Sequence, residues 1–192
     1  MMNSINGTDS GPKYKAYTIR NFRQIEQISR LSEEEQFAIE VVGQVLPFRV
    51  NNYVIEELVR WDDVPNDPIF QLTFLQREML KPQHFDEMAS LLRRQASQQE
   101  IQEAANRIRW QLNPHPAGQL EHNVPSLNGQ RLNGVQHKYP ETVLFFPSQG
   151  QTCHAYCSFC FRWPQFVGMD GLKFAMRETQ LVVEYVRQHP EV

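Results

Sequence analysis

The stretch KYPETVLFFPSQGQTCHAYCSFCFRW, residues 138 to 163, decides how this chain is read. Thr142 to Phe146 is a short, continuous run of β-branched and aromatic residues, which predicts a strand buried on both faces, as in a parallel sheet. Beyond it lie Cys153, Cys157 and Cys160, the chain's 3 cysteines. Further on, Leu172, Ala175, Met176, Thr179, Val182, Val183 and Val186 recur at threes and fours and predict one amphipathic helix from Gly171 to about His189. Strand, loop and helix in that order make one β/α unit, with the cysteines at the C-terminal end of the strand.

The chain before this unit reads differently. Residues 1–17 are polar and aperiodic and are expected to be a disordered lead-in. Residues 18–112 read as a helical domain. Ile19, Phe22, Ile25 and Ile28 share one face, and Ser32 with Glu35 forms an S-x-x-E capping box ahead of Phe37, Ile39, Val41 and Val42, which Gly43 and Pro47 bring to an end. A further helix is expected over Asn52 to Trp61, then a turn-rich break at DDVPNDP, then helices over Pro82 to Gln95 and Gln99 to Leu112. Residues 113–138 carry Pro, Gly and Asn at short intervals and are expected to form a long linker or wrapping loop. Residues 139–192 hold the β/α unit.

Composition excludes several function classes. With 19 Lys and Arg against 22 Asp and Glu, the 192-residue chain carries a formal charge of -3. It lacks the basic excess that neutralises a phosphate backbone, so a nucleic-acid partner is not expected. No apolar run approaches the roughly 18 residues of a membrane span. The opening MMNSINGTDSGPKYKAY has no apolar core of a secretory signal, so a cytoplasmic location is expected. There an odd number of closely spaced cysteines argues for a metal site over a disulfide framework.

The spacing is C-x3-C-x2-C, and thiolates select zinc or iron–sulfur clusters over hard cations. Structural zinc takes four ligands, usually as two close pairs, yet there is no second C-x2-C and His154 adjoins Cys153 too closely to serve the same ion. Three thiolates without a fourth suit a four-iron cluster with one iron left open.

The cysteine segment resembles the cluster loop of the radical S-adenosylmethionine superfamily, with Phe159 as the aromatic residue before the third cysteine. Within that superfamily it is most similar to the lysine 2,3-aminomutase family. The likeness runs from about residue 60 to the end and includes NDPI at Asn66 to Ile69, HPAGQ at His115 to Gln119, KYPETVLF, and FR after Cys160. The resemblance implies that Cys153, Cys157 and Cys160 ligate a [4Fe-4S] cluster whose open iron binds S-adenosylmethionine. A reductant such as flavodoxin or ferredoxin supplies an electron, and a 5'-deoxyadenosyl radical then starts the rearrangement of an amino-acid substrate. It further implies that Phe159 packs near the adenine, that Arg162 meets the substrate carboxylate through its guanidinium fork, and that Tyr139 helps hold pyridoxal phosphate. Thr142 stands where the family carries a basic residue for that cofactor, and the PSQGQT segment is slightly longer than its counterpart.

The implied fold is α/β: a helical domain followed by the first β/α unit of an incomplete barrel. Too few residues follow Pro140 for more than one unit of 30 or more residues, whereas a complete eight-fold barrel takes about 250. The chain therefore reads as the N-terminal portion of such an enzyme, completed by a missing C-terminal half or a homo-oligomer. The alternatives are a non-catalytic cluster-binding or assembly module and a small zinc-binding interaction protein.

Overall fold

The computed structural model describes residues 14–149 and 153–192. Strand β1 (Ala16–Thr18) pairs antiparallel with β2 (Arg49–Asn51), Tyr17 opposite Val50. Ala16 and Tyr17, at the end of the expected lead-in, thus belong to a strand, and its residues 1–13 lie outside the described residues.

Between the two strands runs α1 (Glu33–Val42). Its start is fixed by the capping box: the Ser32 hydroxyl accepts from the Glu35 amide at 3.2 Å and the Glu35 carboxylate accepts from the Ser32 amide at 2.8 Å. The periodicity at Ile19 to Ile28 is real, but it folds as two 3-10 segments, Phe22–Gln24 and Glu26–Arg30, and not as a continuous helix. At three residues per turn, spacings of three still bring Phe22, Ile25 and Ile28 to one side, and all three are buried. The helix expected over Asn52 to Trp61 shrinks to a π-helical turn, Val54–Leu58.

Helix α2 (Pro68–Thr73) explains the NDPI segment. Asp67 is its N-cap, accepting from the Phe70 amide at 2.8 Å while almost wholly buried, and Pro68 fills the first helical position, where a missing N–H is harmless. Helices α3 (Pro82–Arg93) and α4 (Gln98–Gln111) form as expected, the latter opened by a second capping box from Ser97 and Glu100. Together these elements enclose one large core. At its centre Phe70 and Phe74 stack at 4.7 Å, with Phe48 tilted against Phe74 at 5.6 Å and Trp61 edge-on to both.

The C-terminal part departs most from expectation. Residues 113–138 are no featureless linker: they contain a 3-10 turn at Pro116–Gly118, a hairpin of β3 (Ser126–Leu127) and β4 (Gln130–Arg131), and strand β5 (Val135–Tyr139). Gln119, from HPAGQ, is buried; its side chain donates to the Pro114 carbonyl at 3.1 Å, and its own carbonyl accepts from Gln136 at 3.0 Å, which ties the turn to β5. The strand expected over Thr142 to Phe146 exists as β6 (Thr142–Phe145), but it pairs antiparallel with β5 and is half exposed. Val143 and Phe145 turn inward and Leu144 outward, so the apolar run covers one face of a hairpin and not both faces of a central strand.

A parallel contact does occur just past β6, where Pro147 bridges to Met176 as the chain returns from the cysteine loop. The amphipathic helix is also shorter than its periodicity. Asp170–Leu172 forms a 3-10 turn, and α5 proper spans Thr179–Arg187. Leu127, Leu132, Val135, Met176, Val182 and Tyr185 form a second, smaller core beneath the hairpin. Among the described residues there is no closed barrel, and no helix is long and apolar enough to cross a membrane.

Candidate functional site

The cysteine loop is docked on the helical part of the molecule, and the docking follows from the sequence around β2 and α2. Phe48 and Val50 point into the core, so strand alternation turns Arg49 outward. Its carbonyl accepts from the Tyr156 amide at 2.8 Å, and its Nε donates to the Cys153 carbonyl at 3.0 Å. Phe70 and Phe74 anchor α2 on the other side, which leaves the Leu72 carbonyl free to accept from the Ser158 amide at 2.8 Å. Asn51, buried, places its side-chain amide 2.7 Å from Nδ1 of His154, and Tyr14 meets the same imidazole edge-on. Ala155 packs on the large core, and Tyr156 stacks on Phe166 at 4.2 Å.

This backbone carries three free cysteines, Cys157 exposed and Cys153 and Cys160 partly buried. A tight turn closed by the Cys160 amide on the Cys157 carbonyl, 2.9 Å, joins the last two. Burial raises the Cys157 thiol above its ordinary range, and the charges of Cys160 and Cys153 raise it further. Tyr156 is raised by burial as well, with Arg49 opposing and Cys153 and Cys160 adding to the effect. Cys157 therefore resists ionisation where it stands, and a bound cation reverses that balance. Among the described residues no three Cys, His, Asp or Glu side chains converge on a single ion. The donor set of three thiols suits a group whose several metals each take one thiolate, and it does not form a closed four-ligand zinc site.

The other expected site residues are less closely gathered. Phe159 lies in the turn between Cys157 and Cys160 and is 89% exposed, so its ring face is open. Arg162 follows the loop, and its Nη2 lies 3.7 Å from Cys153 Sγ. Tyr139 stands at the turn of the β5–β6 hairpin, opposite Thr142 and with the Lys138 ammonium 5.1 Å over its ring. Arg49, Asn51 and Leu72 play no part in the sequence reading. The signal for Arg49 and Asn51 is the short RVN run after Phe48, whose alternation places two polar side chains on either side of a buried valine, and Leu72 carries none.

No family model matches the chain, and no solved structure matches it. It is 28% identical over 165 residues to an Aquifex aeolicus (strain VF5) protein named "Putative L-lysine 2,3-aminomutase". The likeness supports a relationship to the lysine 2,3-aminomutases. The match covers 86% of this chain and 33% of the other, so the chain spans about a third of the length of that curated relative.

Proposed function

We propose that this chain is a radical S-adenosylmethionine protein of the lysine 2,3-aminomutase type, with Cys153, Cys157 and Cys160 as ligands of a [4Fe-4S] cluster and an amino acid as substrate. The observation that carries the reading is the confinement of all three free thiols to one loop that the helical core holds by its backbone, in a chain similar to the protein named "Putative L-lysine 2,3-aminomutase". When bound together, cluster and S-adenosylmethionine supply reductive cleavage of the sulfonium and a 5'-deoxyadenosyl radical that abstracts hydrogen from the substrate.

The residues of this chain do the rest. The three thiolates bind, while Arg49 and Leu72 fix the loop from beneath. Phe159 offers an exposed ring on which a base can stack. Arg162 has five N–H donors in a fork, enough to reach a carboxylate as well as the sulfur beside it. Tyr139 is retained as the residue toward pyridoxal phosphate. The order β6, cysteine loop, α5, with its parallel contact at Met176, is proposed as the first β/α unit of a barrel whose remaining strands lie elsewhere in the assembled enzyme.

The test is anaerobic reconstitution with iron and sulfide. The expected product is brown, holds iron and sulfide in equal amounts near four each, and shows a paramagnetic signal after dithionite. A colourless protein carrying one zinc overturns the reading.

A further inference from the structure

Cys153 differs from the other two cysteines in what surrounds it. Two guanidinium groups meet it, one from β2 and one from the chain just after the loop: Arg49 Nε donates to its carbonyl oxygen at 3.0 Å, and Arg162 Nη2 lies 3.7 Å from its sulfur, within reach of an N–H···S contact. Among the described residues neither Cys157 nor Cys160 has a side-chain donor on it. Both arginines start from fixed bases. Arg49 sits between Phe48, 5% exposed, and Val50, fully buried. Arg162 leads into the 3-10 turn Trp163–Phe166, which is held down by buried Pro164 and by the stacking of Phe166 on Tyr156.

We propose that Arg49 and Arg162 bracket Cys153 as positioning residues for the metal centre, Arg49 holding the ligand's backbone and Arg162 donating to its sulfur. The inference rests on the reading that the loop holds a [4Fe-4S] cluster. A donor aimed at a ligating thiolate draws electron density from sulfur and favours the more negative, reduced form of the centre, so it raises the reduction potential. A donor on the ligand's carbonyl leaves the sulfur electronics alone and acts on whether the ligand stays in place. The two arginines therefore have separable effects.

The experiment reconstitutes the full chain as wild type, Arg162→Gln, Arg162→Lys and Arg49→Gln. It follows reduction by dithionite through the paramagnetic signal, iron loss to a chelator, and thermal unfolding of the metal-free proteins. In the reduction dithionite's S–S bond breaks to give two sulfur dioxide radical anions, each of which can pass one electron to a centre and leave as sulfur dioxide, and the centre itself exchanges no bond or proton. At the wild-type midpoint, Arg162→Gln is expected to lower the reduced-to-oxidised ratio by roughly tenfold, or about 59 mV for a one-electron couple. Arg162→Lys is expected to recover most of that ratio. Arg49→Gln is expected to keep the wild-type potential and to lose iron several-fold faster, with metal-free unfolding close to wild type. Potentials that coincide in wild type, Arg162→Gln and Arg162→Lys overturn the bracket, as does unchanged iron retention in Arg49→Gln. A wild type that takes up no iron and sulfide overturns the cluster reading itself, which no difference among the variants could do.

Discussion

Cys153, Cys157 and Cys160 have no substitutes, since the chain contains no fourth cysteine and no His, Asp or Glu converges with them among the described residues. Replacing any one with Ala is expected to bring bound iron and sulfide to background after reconstitution, and full iron content in a single variant would exclude that cysteine as a ligand. Asp67 poses a different question, because its role is stability. Burial pushes its carboxyl up, but hydrogen bonds from the Phe70 amide and from Arg60 outweigh burial and hold it below its ordinary 3.8. A depressed carboxylate lends stability above its unfolded value, and that contribution disappears as pH falls through the lower folded one. Asp67→Asn keeps an N-cap acceptor and is expected to lose about 0.5–1 kcal/mol at neutral pH, with the gap to wild type closing in urea titrations carried below pH 3.8. Asp67→Ala removes the cap and leaves the Phe70 amide without its acceptor, at about 1–3 kcal/mol. The cysteines were legible because their identity and spacing carry the chemistry. Arg49 was not, because its importance comes from strand alternation and from a partner 104 residues away.

At the scale of elements, the capping box at Ser32 and Glu35 is legible in the sequence, while the box at Ser97 and the helix start at Asp67 and Pro68, expected as part of a turn-rich break, are not. Both capping boxes bring together two side-chain choices three residues apart, and both form. Glu100 in the second box is held at about 2, first by Arg94 and then by the amide and hydroxyl of Ser97. Ser97→Ala is expected to cost about 1 kcal/mol of stability, read as a shifted denaturant midpoint with an unchanged slope. Spacings of three and four at residues 19–28 and 171–176 fold instead as 3-10 turns and extended chain, because apolar residues at those intervals can reach a core without a regular α-helix. The TVLFF run misled for a related reason. An apolar strand looks the same in sequence whether a second layer covers it or, as at Leu144, it stays 48% exposed. Its actual partner, β5, lay hidden in a stretch whose Gly and Pro residues mark turns between strands as readily as they mark a linker.

The molecule as a whole has two cores of very different size. The larger gathers side chains from Tyr17 to Ile108, and the smaller is built on six buried residues beneath the hairpin. Hydrophobic stabilisation scales with the area removed from water, so the two are expected to open at different free energies. Limited proteolysis should cut first beyond α4 and leave a protected fragment ending near Leu112, and amide exchange should be slowest in α1, α3 and α4. Equal protection in β5, β6 and α5 would show that the two cores unfold as one. Since the cysteine loop is hydrogen-bonded to the larger core while its flanking strand and helix belong to the smaller, reconstitution with metal is expected to raise the protection of β6 and α5 as well.

The crossing at Gly134 has a consequence for how this chain tolerates change. The Phe146 amide donates to the Gly134 carbonyl at 2.8 Å, the Met176 amide to the Phe146 carbonyl at 3.1 Å, and the Ser148 amide to the Met176 carbonyl at 2.9 Å. Gly134 itself has φ +105°, and a methyl group there would lie 2.6 Å from the Met176 nitrogen. The two ends of the excursion 148–175 are thus sewn together at its mouth, where a single added carbon would force the seam open. Gly134→Ala is expected to cost more than about 1 kcal/mol and to free the mouth, seen as rapid amide exchange at Phe146 and Met176. Inside a closed mouth, by contrast, length is cheap: ring-closure entropy grows only with the logarithm of contour, so a few residues inserted between Ser148 and Cys153 add about 0.1–0.2 kcal/mol. The seam is in this sense a buckle, and what it cannot accept is a change at the clasp itself.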